Sequence, residues 1–341
     1  MNLKTFLLAV VAFGAAAPAA AANCAAFFER KKITIVVPFK PGGGFDGYAR
    51  ALAPVLQQHT GARVSVANMP GANGAVGMRA IAAAPPDSLM LGVFDLRDLV
   101  AARLADETLP AVSDFTVLGS FGTVSGVWAA REGGVSLDAA APLTVGLSTG
   151  IVPRVQLPAM LLGREVTIVR GFGGMTDRWL ALLRGDVDIV DGSHDSIARL
   201  ISGAPGTKSL LALSSGPIAA HPGTPHLAGQ GGVVDQRTRQ LDAATRRSRM
   251  DLAGLAADLS ASERTVSVAS KAQPALRACL EQSVAYAIHS DALRESAKQQ
   301  KLALEPTRAA DVKKKLAQIE AAVARNLPLL KRLAATSGAG S

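Results

Sequence analysis

The stretch Ile33-Thr-Ile-Val-Val-Pro-Phe-Lys-Pro-Gly-Gly-Gly-Phe-Asp-Gly-Tyr-Ala-Arg-Ala-Leu52 decides how this chain folds. Ile33 to Phe39 is a short apolar run rich in β-branched residues, which reads as a buried strand. Pro41 and three glycines follow, leaving backbone amides with no side chains over them and permitting positive φ. Beyond them Tyr48, Leu52, Val55 and Leu56 fall at helical spacing. Strand, bare loop and helix N-terminus in that order aim free N–H groups and the positive end of a helix dipole at one spot, where a phosphate or carboxylate fits. A tight turn with no ligand would need only one glycine, so three favour a ligand. Gly42-Gly43-Gly44-Phe45-Asp46-Gly47 also matches the dinucleotide pattern G-x-G-x-x-G. Two prolines, Pro38 and Pro41, interrupt that junction, and the second strand, Arg63 to Asn68, ends in an amide where a ribose-binding acid is expected. No Gly-Lys-Ser/Thr follows the glycines, so the Walker-A pattern is absent.

Outward from this stretch the design repeats. Met69-Pro-Gly-Ala-Asn-Gly-Ala-Val-Gly77 is a second glycine-rich strand-to-helix loop, its helix running through Met78 and Ile81 to Pro85-Pro86. A third strand, Leu89 to Phe94, ends at Asp95. Strands alternating with helices predict parallel βαβ units, with the C-terminal strand ends and both glycine loops facing one crevice. A second α/β series follows, with strands expected at 115–121, 126–130, 185–191 and 209–215, and with two strands that each lead into a small polar loop, within 143–150 and 166–174. Residues 216–265 are Pro/Gly-rich and then an Arg-rich helix. Arg264 to Ala269 reads as a strand returning to the first series, and helical patterns cover 274–287, 291–300 and 309–334.

Composition narrows the class. The 341 residues are 49% hydrophobic but only 4% aromatic, as expected for an α/β protein with Ala-faced helices. The formal charge of +9 is spread along the chain apart from Arg237, Arg239, Arg246, Arg247 and Arg249. With scarcely an aromatic beside it, that cluster reads as a solvated helix face rather than a nucleic-acid surface. Lys4, the apolar run Phe6 to Phe13 and the Ala-rich segment 15–22 form an expected export signal. Asn23, not a small residue, precedes Cys24, which argues against lipidation. About 320 residues remain after cleavage, enough for two domains. Cys24 and Cys279 are the two cysteines, and an exported chain can pair them or leave them free. Two cysteines and five scattered histidines give no metal-ligand spacing.

The pattern resembles the substrate-binding proteins of tripartite tricarboxylate transporters, the Bug receptors. The motifs that carry it are Val36-Val-Pro-Phe-Lys-Pro-Gly-Gly-Gly-Phe-Asp46 and Val66-Ala-Asn-Met-Pro-Gly-Ala-Asn-Gly-Ala-Val-Gly77, with support from Gly146-Leu-Ser-Thr-Gly150 and Gly185-Asp-Val-Asp-Ile189. The resemblance implies an α/β two-lobed periplasmic binding protein of type II-like build, with mostly parallel sheets and a ligand cleft between lobes. It implies a signal peptide at 1–22, a first lobe from 23–125 and 266–341, and a second lobe from 126–265. The ligand is then a small organic carboxylate held by backbone amides and water, for delivery to transporter membrane subunits or for sensing. The matching positions are Phe39, Gly43, Gly44 and Asp46, then Pro70, Gly71, Ala72 and Asn73. Ser148, Thr149, Arg170 and Asp191 are the contacts expected from the second lobe, and Lys40, where the family usually has a small residue, is either a further ligand contact as a cation for the carboxylate or a solvated rim charge. No cofactor, metal, nucleic acid or catalytic residue is expected, and the chain is expected to be a monomer with Cys24 and Cys279 as a candidate disulfide.

The competing class is an exported α/β enzyme, either a hydrolase or a dinucleotide-dependent one. Its best candidate cluster is Asp191, Ser193, His194 and Asp195, but four neighbours in one loop make no preorganised triad, and no G-x-S-x-G elbow occurs.

Overall fold

The structure, a computed structural model, describes residues 24–104, 106–139, 141–147, 153–172, 174–300 and 302–336. The expected export segment and the candidates Ser148 and Thr149 lie outside them. The chain runs α1 (Cys24–Phe28), β1 (Lys32–Val37), α2 (Gly44–Thr60), β2 (Arg63–Asn68), α3 (Ala75–Ala83), β3 (Met90–Phe94), α4 (Leu96–Ala102) and β4 (Phe115–Val124). It continues through β5 (Gly126–Arg131), β6 (Leu143–Gly146), α5 (Pro153–Leu161), β7 (Val166–Val169), α6 (Met175–Arg184), β8 (Ile189–Ser193), α7 (His194–Ser202) and β9 (Thr207–Leu213). The remainder is α8 (Val233–Arg237), α9 (Ala243–Ser260), β10 (Ser262–Ala269), α10 (Pro274–His289), α11 (Asp291–Gln299), α12 (Ala309–Arg325) and α13 (Leu327–Thr336).

Two five-stranded sheets result, ordered β2-β1-β3-β10-β4 and β7-β6-β8-β5-β9. In the first, β1 pairs parallel with β2 and β3, whereas β10 is antiparallel to both β3 and β4. The second repeats the plan, with β5 as its antiparallel member between β8 and β9. Each sheet is therefore mixed, because the strand arriving from the other lobe enters against the direction of the βαβ units. The chain passes between lobes at Ser125, between β4 and β5, and again from α9 into β10.

Local chemistry explains the elements. Strand β1 is an apolar run because both faces are covered: Ile33, Ile35, Val36 and Val37 are buried. Tyr48, Leu52, Val55 and Leu56 form the buried stripe of α2. That helix stops at Gly61, whose φ of 71° lets its N–H turn back to the Gln57 carbonyl. Two expectations shift. The stretch from Gly185 does not begin a strand, because Gly185, at φ 89°, caps α6 and β8 starts only at Ile189. The single helix expected over 309–334 breaks at Asn326, and Pro328 lies in the first turn of α13, where its missing N–H costs nothing.

The core of the first lobe packs α2 and α10 on its sheet, and that of the second packs α5 and α9. Ile319, Val323 and Leu330 of the C-terminal helices belong to the second-lobe core, while Ala309, Val312 and Leu316 pack under the first sheet. The segment 266–341, expected in the first lobe, thus spans both. The Arg-rich segment opens α9, where residues 241–249 are exposed; Arg246 pairs with Asp235 at 2.6 Å.

Cys24 of α1 is bonded to Cys279 of α10, 255 residues away. Because the bond closes most of the chain into one loop, breaking it is expected to cost about 2–4 kcal/mol. Intact mass under non-reducing conditions, followed by urea denaturation with and without reductant, checks this. Two alkylatable thiols in native protein, or an unchanged midpoint after reduction, would refute it.

Candidate functional site

A cavity of about 450 Å³ lies between the lobes. It opens where β1, β3, β6 and β8 end, the edge at which open α/β sheets bind ligands. Its described lining includes Phe39, Gly43, Gly44, Phe45, Asp46 and Ala72 from the two glycine loops, Asp95, Asp98 and Asp106 from the α4 side, and Arg154, Arg178, Asp191 and Ser193 from the second lobe.

The first glycine loop is held from within. Asp46 accepts the Gly42 N–H at 2.9 Å and Arg50 Nε at 2.8 Å on one oxygen, and Asn68 Nδ2 at 3.0 Å on the other. Asn68 also donates to the Phe39 carbonyl at 3.0 Å, so the amide that ends β2 staples both sides of the loop. Burial pushes the Asp46 carboxyl up, but Arg50, the Gly42 N–H and Asn68 outweigh it and hold the group below the usual carboxylate range. Gly42 takes the positive φ of 83°, while Gly43 is extended at φ −79° and caps α2 without any side-chain hydrogen bond. The opening amides of α2 therefore stand at the cavity wall with no intrahelical acceptor.

The second loop packs on the first. A Cβ at Gly77 would lie 2.9 Å from both the Met69 carbonyl oxygen and Pro38 Cα, so only glycine lets α3 approach this closely. Ala72 sits at φ 44°, a left-handed conformation that costs a non-glycine residue about 1–3 kcal/mol and that here borders the cavity. Phe39 and Phe45 stack at 5.2 Å and form an apolar part of the wall.

Across the cavity stand two arginines. Arg178 on α6 donates to Asp191 Oδ1 at 2.8 Å and to the Asp191 carbonyl at 2.9 Å. Arg154 on α5 donates to Asp98 Oδ1 at 3.2 Å and to the Ser260 carbonyl at 3.0 Å. It thereby ties the second lobe both to α4 of the first and to the crossover before β10. The Nε atoms of both arginines are buried and make no hydrogen bond, Arg154 Nε standing 3.9 Å from Asp191 Oδ2 in a longer ion pair. Such donors cost about 1–3 kcal/mol each unless an acceptor reaches them. Burial, then Asp98, pushes Asp95 up to about 7. Burial also raises Asp98, with Arg154 opposing and Asp191 adding to the rise.

The structure brings Phe39, Gly43, Gly44, Asp46, Ala72 and Asp191 of the candidate residues to the cavity. Asp46 and Asp191 are there as partners of Arg50 and Arg178. Lys40, Pro70, Gly71 and Arg170 are exposed and outside the described lining, and the side chain of Asn73 is not among those described. Sequence reading missed Arg154, Arg178, Asp95 and Asp98. The available signals were an arginine inside the apolar run Val152 to Leu157 and an acid one helical turn after the acid that ends β3.

The enzyme cluster does not assemble into a relay. Asp195 accepts Arg264 Nη2 at 3.1 Å and its neighbour's N–H, Ser193 bonds Ser196 and interacts with Asp195, and His194 Nδ1 has no hydrogen-bond partner to join them. Burial holds His194 below its usual range.

No family model matches the chain. Among curated proteins it is 38% identical over 91 residues to protein BugT of Bordetella pertussis, covering 27% of this chain and 28% of BugT. It is 35% identical over 107 residues to a UPF0065 protein of Bordetella bronchiseptica, covering 31% of each. The chain's match thus spans under a third of the length of these relatives. Solved structures align over nearly all of it. A TctC solute-binding protein from Polaromonas matches with a TM-score of 0.60 at 19% identity, over 90% of this chain and 98% of that one. The R. palustris protein Rpa4515 with adipate matches with a TM-score of 0.64 at 19% identity, over 89% and 97%. MatC from Rhodopseudomonas palustris with bound malate matches with a TM-score of 0.62 at 19% identity, over 87% and 100%. The fold is that of the two-lobed periplasmic solute-binding proteins, and the resemblance to the Bug receptors is borne out.

Proposed function

We propose that this chain, a relative of the Bug receptors with the two-lobed fold of the TctC-type binding proteins, is a periplasmic solute receptor for a small carboxylate. One observation carries the reading. The free opening amides of α2 and two arginines whose buried Nε–H groups make no hydrogen bond line the same interlobe cavity. Donors of this kind are satisfied by an anion, and carboxylate hydrogen bonds from them are charge-assisted. The malate and adipate in its structural neighbours support the same class of ligand. The receptor captures its ligand without chemistry and hands it to the membrane subunits of a tripartite transporter or to a sensor.

A ligand that binds only the folded form adds RT ln(1 + [L]/Kd), about 2.7 kcal/mol at a hundredfold excess over Kd. At least one small carboxylate is therefore expected to raise the melting temperature by several degrees, roughly 5 °C. NAD and nucleotides are expected to leave it unchanged. A silent carboxylate screen beside a shift with a dinucleotide would reverse the assignment in favour of the enzyme class.

A further inference from the structure

The charged groups of the cavity are held largely by the protein itself. Every aspartate in its described lining accepts hydrogen bonds from neighbouring residues. Asp46 takes them from Gly42, Arg50 and Asn68, and Asp95 from the N–H groups of Arg97 and Glu263. Asp98 takes one from Arg154, Asp106 from Thr108 and Asp191 from Arg178. The arginine tips are engaged in turn, Arg178 Nη1 on the Asp191 carboxylate and carbonyl, and Arg154 Nη1 and Nη2 on Asp98 and the Ser260 carbonyl. One carboxylate can take the opening amides of α2 and the arginine Nε–H groups, which make no hydrogen bond within the protein.

Among the other side chains of the described lining apolar ones predominate, and both lobes supply them. Phe39, Phe45, Met78 and Leu99 come from the first lobe, Leu147 and Met175 from the second. Two glycines leave the space in which these side chains lie. A Cβ at Gly74 would stand 2.9 Å from Met78 Cε and 3.2 Å from Phe39 Cε1, and one at Gly192 in β8 would overlap Met175 Cε. Gly192 takes no positive φ, so room for that thioether is what its missing side chain supplies. The stacked rings of Phe39 and Phe45 give a flat wall, and the two methionines give walls that adapt to shape. The volume of about 450 Å³ falls in the range that drug-sized ligands fill, roughly 300–1,000 Å³, and leaves room for a body beyond the carboxylate. A second carboxylate set against these side chains would lose its water and gain no donor in exchange.

We propose that the cleft takes a monocarboxylate with an apolar chain or ring, and that Phe45 and Met175 select it over dicarboxylates of the same length. These two side chains are half-buried, one in each lobe, so an apolar body placed between α2 and α6 meets both. The proposal rests on the receptor reading above and names its ligand class. It departs from the malate and adipate of the structural neighbours.

The test is calorimetry on the full mature protein at neutral pH with matched pairs of acids. Butyrate, hexanoate and octanoate are each compared with the diacid of the same length, succinate, adipate and suberate, and 3-phenylpropionate with its 4-carboxy derivative. Each methylene added between butyrate and hexanoate is expected to tighten binding about three- to fourfold, the fold-change of burying one such group. The best monoacid is expected to bind at least about tenfold tighter than its diacid. Phe45→Ser is expected to weaken that monoacid about tenfold and butyrate by less than about threefold. Met175→Gln, which keeps the length of the side chain and replaces the thioether with an amide, is expected to act in the same direction, and it keeps the test open if Phe45→Ser fails to fold. Diacids that bind as tightly as their monoacids in every pair overturn the proposal and leave the receptor reading standing. A preference for the monoacid that is undiminished in every folded variant also overturns it. Silence from every acid removes the carboxylate-receptor reading, and this inference with it.

Discussion

Gly43→Val is expected to fold like the parent and to lose ligand affinity by a factor on the order of a hundred to ten thousand. The fold should tolerate the change. Gly43 has an extended backbone, φ −79° and ψ 170°, which valine adopts freely, and an added Cβ meets only the Lys40 carbonyl oxygen, at 3.8 Å. Replacing the N-cap glycine costs α2 roughly 1 kcal/mol at most. Binding should not tolerate it, because the side chain stands over the opening amides of α2 at the cavity wall. Two charge-assisted hydrogen bonds, at about 1.5–3 kcal/mol each, give the expected range. Lys40→Ala serves as the control: exposed and outside the described lining, it should change affinity by less than about tenfold. Calorimetry with the best ligand of the screen, with circular dichroism to verify folding, decides it. A folded Gly43→Val protein that binds as tightly as the parent would move the anion to Arg178 and Arg154.

Glu263→Ala is expected to cost about 3–5 kcal/mol of stability, an appreciable part of what a domain has. Glu263 is the second residue of β10 and is 1% exposed. Its carboxylate accepts Arg97 Nη2 at 2.6 Å and the hydroxyls of Ser120 and Thr123. Arg97 is itself buried and its Nε already lacks a partner. Removing the acid would take from that guanidinium its hydrogen-bonded carboxylate beside the crossover into the first lobe and leave only the more distant Asp95 and Asp98 to offset it. The double change Arg97→Met with Glu263→Leu should recover most of the loss, because burying a pair costs desolvation that apolar groups avoid. Urea denaturation checks both, as a lower midpoint with unchanged slope for the single change and a restored midpoint for the double. A loss below about 1 kcal/mol for Glu263→Ala would refute the account.

The fold was largely legible because its signals are local. Strands such as β1, β3 and β5 are short apolar runs, and the turns that follow β1 and β2 carry glycines whose φ values, such as 83° at Gly42 and 92° at Gly74, demand them. The shifts came where one local signal overrode another. Gly185 sits beside an apolar run that reads as strand, yet its left-handed conformation terminates α6 first. Pro328 sits inside an amphipathic pattern, yet the backbone breaks before it.

The sequence by itself determined the two bare loops, their place after β1 and β2, and hence the half of the cleft built from backbone amides. Backbone donors are positioned by local conformation, and glycine spacing encodes local conformation directly. Only the tertiary structure decided the other half. Arg154 and Asp98 stand 56 residues apart in the chain and belong to different lobes, yet they meet at 3.2 Å because the crossovers at Ser125 and before β10 fold one lobe over the other. Nothing local separates such an arginine from one that points into water, as Arg247 and Arg249 do on α9. The tertiary structure likewise made Asp46, which lines the cavity, the anchor of its own loop, because Asn68 and Arg50 reach its carboxylate. Charge placed across a cleft is a property of two surfaces at once, and a one-dimensional pattern carries only one of them.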